Sequence, residues 1–206
     1  MRFLLIALLC LPVIGTVVSA DEPVDRGAPQ GAIRVATFNC SLNRNDPGKL
    51  ERDLSSDQNQ QARKVARILR LVRPDIVLLN EFDFTDPPTA AELFLKNYLD
   101  ADAAWAPEKP IQYQCFWTAS VNTGLPTGRD LDHDGKTNGP GDAIGFGRFP
   151  GQYGMLLLSK YPIHNHQIRT FQRLLWMQMP NALLPVDPAN GLNWYSPEDL
   201  QVLRLS

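Results

Sequence analysis

The 206-residue chain sets 20 lysines and arginines against 22 aspartates and glutamates. Its formal net charge of -2 excludes a general electrostatic pull toward a polyanion, although a local basic face remains compatible with it. The three cysteines show no Cys/His spacing that suits zinc, and no internal repeat or low-complexity block stands out.

The chain opens on MRFLLIALLCLPVIGTVVSA, with Arg2 near the start, an apolar core from Phe3 to Ile14, and small residues at Val18-Ser19-Ala20. This pattern predicts a secretory signal peptide over residues 1–20, cleaved before Asp21. The apolar stretch is short for a membrane anchor and is broken by Pro12 and Gly15, while Leu9 is bulkier than a lipoprotein site before Cys10 accepts. A secreted or periplasmic protein is therefore expected. Residues 21–31 read as a flexible polar lead-in, and 32–206 as one α/β domain or most of one.

Ala32 to Asn39 alternates and is rich in β formers, which predicts the first strand, followed by a polar loop, CSLNRNDPGKLERDLSSD. From Gln58 the spacing of Ala62, Val65, Ala66, Leu69 and Val72 predicts a helix, with Arg63, Lys64, Arg67 and Arg70 largely elsewhere around it. Asp57 with Gln60 suits its start, and Pro74 ends it. Asp75 to Glu81 is then a second strand, and the unbroken Ile76-Val77-Leu78-Leu79 run fits a parallel neighbour in a sheet covered on both faces. TAAELFLKNYLDAD reads as a helix with a Thr89/Glu92 capping box and with Phe94 and Tyr98 on one face. IQYQCFWTASV reads as a strand, followed by a long loop from Asn122 to Gln152. YGMLLLS is a further strand with HQIRTFQRL paired beside it, Ser196-Pro197 open a turn, and LQVLRLS ends the chain as a strand. Cys40 and Cys115 suit either a disulfide in an exported protein or two small buried residues.

Ligands of such sheets gather at the carboxyl ends of parallel strands, where Asn39 and Glu81 both fall. A carboxylate ending an apolar strand needs a partner. A lysine or arginine would serve, and so would a divalent cation, with the Asn39 amide oxygen as a neutral ligand or a holder of water; both readings stay open. Asp83 either points the same way as Glu81 or caps a loop. A separate stretch, DLDHDGKTNGPGD, places Asp130, Asp132 and Asp134 before Gly135, as in the opening of a Ca²⁺ loop. Gly141 stands where such a loop carries its bidentate glutamate, with Asp142 adjacent, so a flexible acidic turn is the other reading. NTGLPTGRD and GFGRFPGQYG flank this loop, offering Arg129 and Arg148 to a phosphate and Phe149 or Tyr153 to a base or sugar, or else serving only as turns and anchors. His164 and His166 beside a turn read as surface histidines.

IRVATFNCSLN, RPDIVLLNEFD and GQYGMLLLSKYPI, in that order, resemble the endonuclease/exonuclease/phosphatase superfamily with its deoxyribonuclease I-like fold, over roughly Ile33 to Ser206. The resemblance implies a four-layer sandwich of two facing mixed β-sheets flanked by helices. It also implies a phosphoesterase that hydrolyses by attack of water, with Asn39 and Glu81 in a Mg²⁺ (or Mn²⁺) site. The expected substrate is a phosphoester in nucleic acid or in a phosphorylated small molecule or lipid, and the expected state is a monomer. The family's aspartate-x-asparagine pair, intervening histidine and terminal aspartate-histidine pair have no clear counterpart here. Asp57-Gln58-Asn59 suits a helix start, and Asp132-His133 falls inside the acidic loop. The chain is accordingly expected to be the N-terminal portion of the domain and weakly active or inactive by itself. A non-catalytic Ca²⁺-binding extracellular module and an unrelated secreted α/β binding protein are the rival readings.

Overall fold

The computed structural model describes residues 31–205. The expected signal peptide, most of the expected lead-in and Ser206 lie outside the described residues. In chain order the elements are β1 (Val35–Leu42), α1 (Lys49–Leu54), α2 (Gln60–Val72), β2 (Ile76–Phe82), α3 (Thr89–Phe94), β3 (Cys115–Trp117), β4 (Met155–Ser159) and α4 (Pro197–Leu200). A π-helical turn, Leu95–Leu99, prolongs α3. Among the described residues no helix is long and apolar enough to cross a membrane.

The strand, helix, strand unit forms as its spacing predicts: β1 and β2 are parallel, in register from Val35 opposite Ile76 to Asn39 opposite Asn80. Antiparallel β4 joins the other side of β2, and β3 pairs with β4, giving one mixed sheet in the order β1-β2-β4-β3. The second sheet of the expected sandwich is not among the described residues. One face of the sheet is the core, where Val77, Leu79, Leu156 and Leu158 meet Val65, Ala66 and Leu69 of α2 and Phe94, Tyr98 and Leu99 beyond it. Phe94 stacks on Tyr98 at 5.8 Å, as their helical spacing requires. The opposite face is less covered. Val35 is 68% and Met155 40% exposed there, and Ile76 and Leu78 are only half-buried, so the β2 run is not sealed on both faces as its unbroken apolar character implied.

Several boundaries differ from expectation for local reasons. Helix α2 is capped by Asn59, whose side chain accepts the Ala62 N–H at 3.0 Å, while the Asp57 carboxylate accepts the Trp105 indole N–H at 2.9 Å. Thr89 lies inside α3, and it is Thr85 whose hydroxyl accepts the Ala90 N–H, at 3.2 Å. The polar loop after β1 contains α1, which buries Leu50 and Leu54. Arg70 is almost completely buried, because it lies four and eight residues beyond Ala66 and Ala62 on the inner stripe of α2. Its guanidinium donates to the Tyr98 and Ala101 carbonyls at 2.7 Å each, satisfying the end of the π-helical turn, and lies over the Trp105 ring at 5.1 Å.

Only Cys115–Trp117 of the third expected strand joins the sheet. HQIRTFQRL cannot lie beside β4, because β2 and β3 already occupy both its edges. It contains a 3₁₀ turn at Asn165–Gln167, and Gln172 contacts the Ser120 carbonyl instead. The final segment makes one bridge, Arg204 to Leu175, instead of a strand. Cys40 and Cys115 are both free and sit on the two edge strands, three interstrand spacings or about 14 Å apart across the sheet and further still because Cys115 is in line with Val35, beyond the reach of a disulfide.

Candidate active site at the carboxyl ends of β1 and β2

The site arises where the parallel ladder breaks. Pairing jumps from Asn39–Asn80 to Leu42–Phe82, so two residues of β1 face one of β2. A bulge of this kind turns a side chain out of the normal alternation. Both strands take left-handed backbone there, at Ser41 (φ 52°) and Glu81 (φ 57°). For residues with a Cβ that conformation costs about 1–2 kcal/mol, so the fold spends stability to aim Glu81.

Glu81 is held on both carboxylate oxygens. Asn39 donates its Nδ2 to Oε1 at 2.7 Å, and Asn43 donates its Nδ2 to Oε2 at 3.0 Å. The Asn39 amide oxygen accepts the Ser41 N–H at 3.1 Å, which fixes the amide in the orientation that donates to Glu81. Asn39 thus orients the carboxylate, a different task from the neutral-ligand role considered from sequence. The lysine or arginine partner that would neutralise Glu81 is not found among the described residues. Its two partners are neutral amides, so the charge remains and each oxygen retains acceptor capacity for a hard cation. That donor set fits Mg²⁺ or Mn²⁺, which need only one or two protein carboxylates.

Asp83 faces away from this arrangement. It is 4% exposed and accepts the N–H groups of Arg44 at 2.7 Å and Tyr153 at 3.0 Å, the loop-cap role. Burial pushes its carboxyl up to about 6, opposed by those two N–H donors and the Arg44 charge. The GQYG stretch lies directly against the end of β2. Gly151 and Gly154 give their carbonyls to Phe84 and Phe82 N–H at 2.8 and 3.0 Å. A Cβ on either would come within 2.8 Å of a β2-side carbonyl, so the motif's glycines permit the close approach. Gln152 between them is completely buried, bonded to the Arg44 carbonyl at 2.5 Å and the Arg148 N–H at 2.7 Å. Burial also pushes the nearby Cys40 thiol up to about 11, so it is not a nucleophile at neutral pH.

Sequence reasoning missed Asn43 and Gln152. Asn43 lies just past the end of β1, beyond the bulge that breaks strand alternation, in a region that read as loop. Gln152 carries no periodic signal.

The acidic loop is a separate feature. One oxygen each of Asp130, Asp132 and Asp134 lies within 4.8 Å of the others. Gly141, at the twelfth position, abuts Asp132 so closely that a Cβ would sit 2.1 Å from its Oδ2. Asp142 is turned inward to the N–H groups of Leu131 (2.9 Å) and Gly139 (2.7 Å). His133 stacks on Trp194 at 4.6 Å, so Asp132-His133 belongs to this loop. Arg129 is paired with Asp199, whereas Arg148 is exposed and Phe149 and Tyr153 are half-buried. His164 and His166 are exposed, 6.0 Å apart.

Comparison with known proteins gives one result of substance. No curated protein and no solved structure matches significantly. From the second residue of β1 to the last described residue, 36–205, the sequence matches the model of the Endonuclease/Exonuclease/phosphatase family, and on that match the chain belongs to this family.

Proposed function

We propose that this chain is an exported, divalent-metal-dependent phosphoesterase in which Glu81 holds a Mg²⁺ or Mn²⁺ ion, with Asn39 and Asn43 keeping its carboxylate oriented. Family membership places it among phosphoesterase- and nuclease-type hydrolases. The observation that carries the metal assignment is the un-neutralised Glu81 carboxylate, gripped on both oxygens at the joint end of two parallel strands. A bound divalent cation supplies charge stabilisation on phosphoryl oxygens and a more acidic attacking water. The chain's own part is to present the carboxylate and hold it still, with the exposed Arg148 of the long loop offered to a phosphate of nucleic acid or of a phosphorylated small molecule or lipid.

The half-exposed apolar face of the sheet supports the expected sandwich: Val35, Ile76, Leu78 and Met155 would be buried by a second, facing sheet. The clustered carboxylates of Asp130, Asp132 and Asp134 favour a structural Ca²⁺ there, because like charges this close repel when unneutralised. The test is calorimetric titration with Mn²⁺ and with Ca²⁺, together with hydrolysis of bis(p-nitrophenyl) phosphate. Mn²⁺ binding lost in Glu81→Ala, with any turnover abolished by chelation, supports the phosphoesterase. Turnover that survives chelation in wild type contradicts it, and Ca²⁺ binding without Mn²⁺ binding or turnover favours the non-catalytic module.

A further inference from the structure

The backbone of Arg44 is gripped from both sides by buried side chains. Asp83 accepts its N–H at 2.7 Å, and Gln152 donates Nε2 to its carbonyl at 2.5 Å. The two grips are joined, since Asp83 also accepts the N–H of Tyr153, the residue after Gln152, at 3.0 Å. The guanidinium of Arg44 is fixed as well, by Asp53 at 2.6 Å and by the Asn43 carbonyl at 2.8 Å. Arg44 directly follows Asn43, the residue whose amide grips Glu81 Oε2 at 3.0 Å. A surface asparagine held only by its own rotamer would leave that carboxylate oxygen free to swing. Here the peptide that bears it is locked by a satisfied, largely buried polar network, which resists displacement.

We infer that Gln152 and Asp83 are positioning residues that set the Glu81 carboxylate through Arg44 and Asn43. The long loop from Asn122 to Gln152 is thereby part of the support of the metal site, although Gln152 bonds Arg44 and Arg148 and not Glu81. This rests on the reading of Glu81 as the holder of the cation. Partners that orient a ligand are worth about 10–100-fold in metal affinity, so they weigh nearly as much as the ligand itself.

The experiment is calorimetric titration with Mn²⁺ of the full chain and of Glu81→Ala, Asn43→Ala, Gln152→Met and the Asn43→Ala/Gln152→Met double variant, with Tm measured for each. Met fills the volume of Gln152 and removes both of its hydrogen bonds. The expected result is a Kd about tenfold weaker in Gln152→Met and in Asn43→Ala, with no further loss in the double variant, because the first acts through the second. A lowered Tm with unchanged Mn²⁺ affinity makes Gln152 merely structural and overturns the inference. Losses that multiply in the double variant overturn the route through Asn43. If Gln152→Met gives no cooperative melt, Asp83→Asn takes its place in the same cycle, with the same expectation. Mn²⁺ binding that persists in Glu81→Ala when Ca²⁺ saturates the Asp130, Asp132 and Asp134 loop refutes the metal reading itself, an outcome distinct from the others, and the inference falls with it.

Discussion

Glu81 is placed by a backbone conformation that its side chain disfavours, and replacing it by both Ala and Gly separates the two consequences. At φ 57° a residue with a Cβ stands about 1–2 kcal/mol above glycine. Both variants remove the carboxylate and the two amide hydrogen bonds from Asn39 and Asn43. Each bond contributes about 0.5–1.5 kcal/mol net, and the loss is common to the pair because both amides are re-solvated alike. The difference between the variants therefore isolates the backbone. Glycine's larger unfolded-state entropy subtracts somewhat under 1 kcal/mol, leaving Glu81→Gly more stable than Glu81→Ala by about 1 kcal/mol. For a chain of this size that is about 2–4 °C in Tm. With the acidic loop saturated by Ca²⁺, wild type alone should gain from Mn²⁺, by about 2.7 kcal/mol at a hundredfold excess over Kd. Urea denaturation with and without Mn²⁺ reads all of this. An alanine variant as stable as the glycine variant would show that Glu81 does not occupy the left-handed region, and the bulge argument would fail.

Three further outcomes follow from particular contacts. Gly154→Ala puts a Cβ 2.8 Å from the Phe82 carbonyl, so β2 must shift beside Glu81; a loss of about 1–3 kcal/mol in urea denaturation and weaker Mn²⁺ binding are expected. Arg70→Met strips the Tyr98 and Ala101 carbonyls of their donors and should cost about 3 kcal/mol or more, with Arg70→Lys recovering a part, again by urea denaturation. Asp75 is held below the ordinary carboxylate range, first by the Arg34 N–H and then by Lys160. A depressed folded-state pKa contributes stability above the unfolded value near 4 that is lost as pH falls through the folded value. Asp75→Asn should thus destabilise at pH 7, and its deficit should shrink toward about pH 3 in paired denaturation curves.

The strand, helix, strand unit was legible because its signals are local and agree: alternation before Asn39, the 3.6-residue spacing of Ala62, Val65, Ala66 and Leu69, and the stop at Pro74. The capping residues were not, because neighbouring Asp57 and Asn59, or Thr85 and Thr89, are equivalent as chemistry; what selects between them is tertiary. Asp57 is claimed by the Trp105 indole, and that leaves the cap to Asn59. Arg70 was misplaced for a related reason. A charged residue on the inner stripe is tolerated only if carbonyls from elsewhere meet it, and the end of the π-helical turn that supplies them is invisible in the α2 sequence.

The candidate site divides along the same line. Asn39 and Glu81 were legible because parallel pairing of two recognisable strands forces their ends together, whatever the rest of the chain does. The second grip on Glu81 was not, because it depends on a bulge, and a bulge has no periodicity to read. Once the ladder breaks after Asn39, Asn43 owes its place to Arg44, and Arg44 owes its place to Asp83 and to Gln152, which is 108 residues further along. The grips on Arg44 are polar side chains paired with backbone, the kind of contact that leaves no hydrophobic pattern behind. The short motif after the long loop, GQYG, therefore carries more than a strand start: its glycines let it lie against β2, and its glutamine reaches across to the loop that steadies the carboxylate. A chain that kept the two strands and lost this glutamine would still look like the same fold. By this argument it would hold its cation less well.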